Sequence, residues 1–154
     1  MTVPTSILFV CLGNICRSPL AQGVFAETAL KAGRDGEFLV DSAGTGAWHA
    51  GSLPDRRSIE IAAKHGIDIS AQRARKVRRD DFSRFHLIFG MDATNVADLR
   101  AQAPGGTVER VRLFLDFAGA GERDVPDPYY GGREGFENVY RMIRDASEAL
   151  LSKL

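Results

Sequence analysis

Cysteine and long apolar runs are both scarce in this chain. Only two of the 154 residues are cysteines, Cys11 and Cys16, and they lie close together. This spacing excludes the disulfide framework of a small secreted domain and suits a reducing compartment. The apolar run over residues 7–12 is too short for a secretory signal or a membrane span. We therefore expect a cytoplasmic protein without a membrane partner.

A surplus of charge of either sign is also lacking. Twenty Lys and Arg residues balance 20 Asp and Glu residues, so the chain has no overall field that would attract nucleic acid or an anionic membrane. The basic cluster of residues 73–79 is followed at once by Asp80 and Asp81, which indicates a solvated face. We predict no nucleic-acid partner.

Histidine is scarce as well, and the three histidines do not form a metal-binding pattern. His49, His65 and His86 are scattered along the chain without the spacing of metal ligands. We predict no metal site and no cofactor.

What the chain does have is the composition of an ordinary globular protein. Apolar residues make up 44% of it and charged residues 26%, which is enough for a normal buried core. A length of 154 residues lies within the range of one compact domain. We expect a single domain over residues 1–154 and a monomer.

Short apolar runs alternate with helical patterns along the chain. Runs typical of buried strands lie at residues 7–10, 38–40, 87–89 and 108–113. Helical patterns cover residues 19–33, 56–65, 93–102 and 136–154, with Gly66 at the C′ position after the second and Asp92 as the N-cap of the third. This alternation predicts an open α/β fold with a parallel sheet, in which ligands bind at the carboxyl ends of the strands. Residues 115–133 lack periodicity, which is typical of a functional lid or a disordered segment.

The residues that indicate chemistry lie between the first predicted strand and the first predicted helix. They are residues 11–18, with the sequence CLGNICRS. A loop that enters a helix N-terminus directs unpaired backbone N–H groups at one point and forms an anion site. Gly13 and Asn14 tolerate the left-handed backbone that such a loop needs. Arg17 adds a planar guanidinium that binds two phosphate oxygens at once, so the segment predicts a phosphoryl site.

Cys11 lies at the end of the strand and faces the same positive field. This field favours the thiolate, which is the nucleophilic form of cysteine. Ser18 is placed to donate a hydrogen bond to the sulfur. A buried structural cysteine is the ordinary alternative, but the Gly, Asn and Arg residues that follow Cys11 favour a nucleophile. The lysine of a nucleotide-binding P-loop is missing, so nucleotide hydrolysis loses its main support.

Residues 10–20, with the sequence VCLGNICRSPL, resemble the signature of the low-molecular-weight protein tyrosine phosphatase family, bacterial type. The resemblance continues at residues 41–45, around Trp48, at Met91 and Asp92, and in the DPYYG sequence of residues 127–131. It therefore covers nearly the whole chain. It implies an open four-stranded parallel sheet with helices on both faces, and hydrolysis of phosphotyrosine through a phosphocysteine intermediate on Cys11.

The reaction also needs an acid that protonates the leaving oxygen. Asp127 lies in the aperiodic segment directly before Pro128, whose ring stiffens the backbone. A solvated turn aspartate is the alternative, and the family's D-P-Y-Y motif favours the general acid. The resemblance thus implies three catalytic residues, Cys11, Arg17 and Asp127, with Asp127 also acting as the general base that activates water.

The resemblance implies a set of substrate-binding residues as well. Trp48, Tyr129 and Tyr130 line the pocket rim in similar proteins and select an aryl phosphate. Within the loop the predicted set is Leu12, Gly13, Asn14, Ile15, Cys16 and Ser18. Ile15 favours phosphotyrosine, because related protein-arginine phosphatases typically carry threonine there. Cys16 is either a packed small residue or a reversible disulfide partner of Cys11.

The chain departs from the family pattern at Gln72. The family's Ser-x-His-x-Ala-Arg sequence appears here at residues 70–75 as SAQRAR, with glutamine in place of the histidine that helps order the phosphate loop. The amide of Gln72 still donates and accepts hydrogen bonds, so we expect the loop network to persist in an altered form.

Two other classes of function remain open. An arsenate reductase would use the same anion site, but it needs additional downstream thiols, and no cysteine follows Cys16. A non-catalytic phosphotyrosine-binding module would lack the nucleophile, the arginine or the acid. The leading interpretation implies a phosphotyrosine protein as substrate, with a cognate tyrosine kinase as a candidate partner. Some bacterial relatives are exported to act on a host, and the composition does not decide between export and the cytoplasm.

Overall fold

The structure of the protein is a computed structural model that describes residues 3–154. The first two residues of the predicted domain therefore lie outside the described residues. Four parallel strands form one sheet in the order β2-β1-β3-β4. Their bounds are β1 Thr5–Cys11, β2 Phe38–Gly44, β3 Leu87–Gly90 and β4 Val111–Leu113. This confirms the predicted α/β fold with an open four-stranded parallel sheet.

Within residues 3–154 the chain also forms six helices and two 3₁₀ turns, and the last two helices follow β4. The helices are α1 Arg17–Lys31, α2 Arg56–Lys64, α3 Asp81–Arg84, α4 Ala93–Gln102, α5 Phe114–Phe117 and α6 Arg133–Lys153. The 3₁₀ turns are Asp35–Glu37 and Val108–Arg110. Within residues 3–154, no helix combines the length and the apolar character that crossing a bilayer requires.

The helices cover both faces of the sheet because β1 is apolar on both sides. Ile7 and Phe9 face a core built from α1, α2, α5 and α6, whereas Leu8 and Val10 face a second core that includes residues of α3 and α4. All four side chains are fully buried. A continuous apolar run of this kind is typical of a strand in the middle of a parallel sheet. The central position of β1 places Cys11, its last residue, at the carboxyl edge of the sheet.

Two predicted elements differ from the observed ones. The fourth strand was expected over residues 108–113, but Val108–Arg110 form a 3₁₀ turn and only Val111–Leu113 pair with β3. The aperiodic segment was expected from residue 115, yet Phe114–Phe117 form a short helix because Phe114 and Leu115 pack into the core. The irregular segment is therefore residues 118–132, which we call the long loop.

Candidate active site

The loop of residues 12–16, which we call the anion loop, joins the end of β1 to the start of α1. None of its backbone N–H groups donates a hydrogen bond to another residue in the range 3–154. The first turn of α1 adds the N–H groups that a helix N-terminus leaves unpaired. These donors and the positive end of the helix dipole form the predicted site for an anion.

Asn14 fixes the curvature of the anion loop. Its φ of 56° is the one positive φ of a non-glycine residue in the described chain, and asparagine tolerates this conformation better than most residues. The buried side chain donates to the hydroxyls of Ser18 at 2.8 Å and Ser42 at 3.0 Å, and its carbonyl accepts from the N–H of Arg75 at 3.0 Å. Three hydrogen bonds thus hold the strained residue.

The close approach of the next loop needs a glycine. A Cβ on Gly44 would lie 2.8 Å from the carbonyl oxygen of Leu12. The segment after β2 can therefore lie against the anion loop, and Gly46 donates its N–H to that carbonyl at 2.9 Å. The anion loop is consequently supported from behind by backbone as well as by Asn14.

Cys11 and Ser18 meet as the sequence predicts. The Cys11 Sγ lies 3.0 Å from the Ser18 Oγ, and both residues are buried. Ser18 accepts a hydrogen bond from Asn14, so its own hydroxyl hydrogen can be donated either to the sulfur or to the more distant Ala43 carbonyl at 3.4 Å. A hydroxyl that donates to a thiolate stabilises its negative charge.

Arg17 is buried and directed by two contacts. Its Nη1 donates to the Asp92 Oδ2 at 2.6 Å and to the Val125 carbonyl at 3.0 Å. Its Nε and Nη2 make no hydrogen bond with another described residue and remain available to a ligand. Burial disfavours the charged guanidinium, but the Cys11 charge and Asp92 outweigh this effect and hold the pKa of Arg17 above its ordinary value.

Asp127 reaches the same place from the long loop. Its Oδ2 lies 3.7 Å from the Arg17 Nη2, and its Oδ1 accepts a hydrogen bond from the Tyr129 N–H at 3.0 Å. The side chain is 43% exposed, so it can exchange protons with water. Val125, two residues earlier, is fully buried and donates its N–H to the Met91 carbonyl, which anchors this part of the loop beside β3.

These side chains line one cavity of about 250 Å³. Its lining consists of the anion-loop residues, the catalytic candidates and an aromatic rim, namely Cys11, Leu12, Gly13, Ile15, Cys16, Arg17, Trp48, His49, Asp127, Tyr129 and Tyr130. A Trp48 ring that is 73% exposed lies against Gly46, where a Cβ would collide with it. The cavity is therefore a narrow anion site beneath an apolar, aromatic mouth.

A family model described as low molecular weight phosphotyrosine protein phosphatase matches residues 6–154. The chain belongs to this family.

Similar proteins match this chain over nearly their whole lengths. A low molecular weight phosphotyrosine protein phosphatase of Schizosaccharomyces pombe is 44% identical over 156 residues, which are 100% of this chain and 99% of the relative. A solved structure of a protein tyrosine phosphatase from Entamoeba histolytica has a TM-score of 0.92 and 36% identity, covering 97% of this chain and 96% of that one. A Drosophila arginine phosphatase structure also matches, with a TM-score of 0.86, 30% identity and 96% of both chains covered.

Most of the residues predicted from the family signature meet in the cavity, but two lie behind it. Asn14 and Ser18 are buried and support the anion loop and the Cys11 sulfur instead of lining the cavity. Gln72 lies further away, where its Nε2 donates to the Pro19 carbonyl at 3.0 Å and its Oε1 is buried without a hydrogen-bond partner in the described chain. The Gln72 side chain thus makes no hydrogen bond to the anion loop within residues 3–154, and the Arg75 N–H is the donor that reaches Asn14 from this segment.

Sequence reasoning missed two residues of the site. Asp92 was predicted as the N-cap of α4, which it is, since its Oδ1 accepts from the Asn95 N–H at 2.7 Å. Its second carboxylate oxygen accepts a hydrogen bond from Arg17. Sequence patterns do not indicate this contact, because the two residues are far apart in the chain. His49 lines the cavity and lies against Gly13. The sequence feature that could have indicated this role is the position of His49 next to Trp48 in a glycine-rich segment.

Cys16 lines the cavity as a free, buried cysteine. Burial raises the pKa of its thiol, and the negative charge of Asp55 raises it further. Both effects favour the neutral thiol of Cys16 over the nucleophilic thiolate. Its disulfide with Cys11 stays a prediction. No group of three or more side chains that could bind a metal occurs within residues 3–154.

Proposed function

We propose that this family member is a protein tyrosine phosphatase that hydrolyses aryl phosphates through a phosphocysteine intermediate on Cys11. The observation that supports the proposal most directly is the meeting of Cys11, Arg17 and Asp127 in one cavity, although Asp127 comes from the far end of the chain. A thiol, a guanidinium and a carboxyl group around an anion site are the three groups that such a reaction needs.

In the first step the Cys11 thiolate attacks the phosphorus of the substrate. A phosphorus–sulfur bond forms while the phosphorus–oxygen bond to the aryl group breaks, and the electron pair leaves with the aryl oxygen. Asp127, in its protonated form, donates its proton to that oxygen. Arg17 and the N–H groups of the anion loop bind the three remaining phosphoryl oxygens and stabilise the charge on them.

In the second step a water molecule attacks the phosphorus of the phosphocysteine. Asp127, now a carboxylate, accepts a proton from this water, and the electron pair of the phosphorus–sulfur bond returns to Cys11. Inorganic phosphate leaves, and the enzyme has its starting protonation state again. Ser18, 3.0 Å from the sulfur, stabilises the thiolate as the leaving group.

The mouth of the cavity supports an aromatic substrate. Trp48, Tyr129 and Tyr130 are exposed on the rim, where their rings can contact a phenyl group. Ile15 adds an apolar side chain to the lining, which favours phosphotyrosine over the charged guanidinium of phosphoarginine. We propose phosphotyrosine proteins as substrates, acted on by a monomeric, cytoplasmic enzyme with a tyrosine kinase as its counterpart.

The test is release of phosphate from para-nitrophenyl phosphate by the wild type, Cys11→Ser and Asp127→Ala. We expect no turnover with Cys11→Ser, and a loss of about 10²- to 10⁴-fold with Asp127→Ala, the range of general acid–base catalysis. Binding of phosphate by the Cys11→Ser protein is the control for an intact anion site. Turnover of Cys11→Ser at the wild-type rate would overturn the proposal.

Three further measurements separate the other candidate functions from this one. A phosphotyrosine-binding module would bind phosphotyrosine peptides and release no phosphate from them. An arsenate reductase would show arsenate-dependent oxidation of thioredoxin, for which the chain has no cysteine after Cys16. A preference for a phosphoarginine peptide over the matched phosphotyrosine peptide would contradict the proposal that Ile15 favours phosphotyrosine.

A further inference from the structure

The long loop is attached to α2 by one arginine. Arg57, in the first turn of α2, donates from Nη2 to the Tyr129 carbonyl at 2.9 Å and from Nη1 to the Gly131 carbonyl at 3.1 Å. Within residues 3–154, no other residue outside the loop donates a hydrogen bond to residues 127–131. Arg57 therefore fixes the backbone that follows Asp127, whereas Val125 anchors the backbone before it.

The guanidinium of Arg57 is itself held in place. Asp55 accepts hydrogen bonds from its Nε and Nη2, each at 3.1 Å, in the paired geometry that gives arginine–carboxylate contacts their directionality. The same guanidinium lies 4.5 Å from the centre of the Phe136 ring and 5.7 Å from that of Tyr129. Two aromatic rings and a carboxylate thus leave it few alternative positions.

The same turn of α2 also holds the anion loop. The Asp55 N–H donates to the Ile15 carbonyl at 2.7 Å, and the buried Ser58 hydroxyl donates to the Cys16 carbonyl at 3.2 Å. Residues 55–58 therefore contact the nucleophile's loop on one side and the loop of Asp127 on the other. A shift of either loop relative to α2 would change the distance between the thiolate and the acid.

We propose that Arg57 is a positioning residue that sets Asp127 against the substrate bound at Cys11. This inference rests on the proposed function, since it assumes that Asp127 is the general acid. Arg57 does not line the cavity and so acts through the loop. Loss of its two hydrogen bonds frees residues 128–131 and displaces the carboxyl group, and a misplacement of about 1 Å can lower a rate by about a hundredfold.

The test compares aryl phosphates whose leaving groups differ in basicity. Proton donation by Asp127 matters most for a basic leaving group such as phenol and least for para-nitrophenol. The quantity to measure is kcat/KM, because it includes transfer of the phosphoryl group to Cys11 and excludes the later hydrolysis. Asp127→Ala provides the reference dependence on leaving-group basicity.

We expect Arg57→Ala to lower kcat/KM for phenyl phosphate by about ten- to a hundredfold, with a much smaller loss for para-nitrophenyl phosphate. Arg57→Lys keeps the charge but cannot contact both carbonyls and the carboxylate at once, so its loss should be intermediate. Arg56→Ala is the matched control, because this neighbouring side chain is 91% exposed and, within residues 3–154, pairs with Glu60 alone. Its kcat/KM values should equal those of the wild type.

Each outcome separates the inference from the proposed function. If Arg57→Ala and Arg57→Lys lower kcat/KM equally for all leaving groups, Arg57 is structural and the inference is wrong. The same holds if only KM rises, because Arg57 would then bind substrate. If Asp127→Ala itself shows no dependence on leaving-group basicity, the general-acid assignment fails whatever Arg57 does. Melting temperatures of all four variants show whether each protein is folded.

Discussion

The anion loop and the long loop bring their reactive groups to one cavity by different means. Asn14, Arg17 and Ser18 are at most 2% exposed and share a dense set of hydrogen bonds. Asp127 is 43% exposed, and the ring of Tyr130 beside it is almost fully exposed. The anion loop and the helix turn that follows it are thus fixed by many buried contacts, and the long loop is fixed by a few contacts at its edges.

This difference follows from what each group does. The anion site must be in place before the substrate binds, because fixed N–H groups stabilise charge without rearranging during the reaction. In the proposed mechanism the acid must also be reached by the water that attacks the phosphocysteine and returns a proton to Asp127, and water reaches a buried carboxyl group poorly. We infer that damage to the anion loop reduces stability and activity together, whereas damage to the long loop reduces activity alone.

The largest effect is expected at Arg17, which follows the anion loop and contacts the long loop. Asp92→Asn removes the charge that holds Arg17 but keeps a good N-cap for α4, so the helix should persist. We expect kcat/KM to fall by about ten- to a hundredfold, since Arg17 loses its direction. Asp124→Asn is the control, because Asp124 accepts from the Ala93 N–H in the same turn and does not contact Arg17. Equal activity of the two variants would contradict the role of Asp92.

The second effect, on stability as well as on activity, is expected within the anion loop. Asn14→Ala removes three buried hydrogen bonds and leaves a side chain that disfavours positive φ, which should lower the free energy of unfolding by about 2–4 kcal/mol. Asn14→Gly removes the same hydrogen bonds without the strain and should lose about 1 kcal/mol less. Urea denaturation measures both values. A loss confined to activity would show that the anion loop is not part of the stable core.

The smallest effect concerns the pair of Asp55 and Arg57 and depends on pH. Burial acts to raise the pKa of Asp55, but its hydrogen bonds with Arg57 outweigh this and hold the pKa below its ordinary value. The pair therefore stabilises the fold at pH values above the pKa of aspartate in the unfolded chain, about 3.9. This stabilisation is lost as the pH falls through the lower pKa of Asp55 in the folded protein. Urea denaturation should show a lower free energy of unfolding for Asp55→Asn than for the wild type at pH 7. The difference between the two should shrink below about pH 4. A difference that grows in acid would contradict this assignment.

The sequence was sufficient for the elements that local patterns determine. The apolar run of β1, the Asp92 N-cap and the Gly66 that ends α2 with a φ of 79° were all predicted correctly. The short helix α3 was missed because four residues carry too little periodicity. The fourth strand was overextended because an apolar Val108 does not distinguish a 3₁₀ turn from a strand.

The candidate site was predictable where its residues adjoin each other and hidden where they do not. Cys11 and Arg17 lie at the two ends of the anion loop, so their spacing already indicates a common site. The ion pair of Arg17 with Asp92, and the contacts of Arg57 with the Tyr129 carbonyl, join segments that only the folded chain brings together. No sequence pattern distinguishes a helical arginine with a positioning role, such as Arg57, from one that is only solvated.

The central claim is that the phosphoryl group passes through Cys11, and a rapid quench in alkaline denaturant tests it most directly. The wild type, mixed with a ³²P-labelled aryl phosphate and quenched within one turnover, should carry the label on the peptide that contains Cys11. The burst of released aryl alcohol should match this label, and Cys11→Ser should carry none. Continued turnover without label on Cys11, or with label on another residue, would contradict the account.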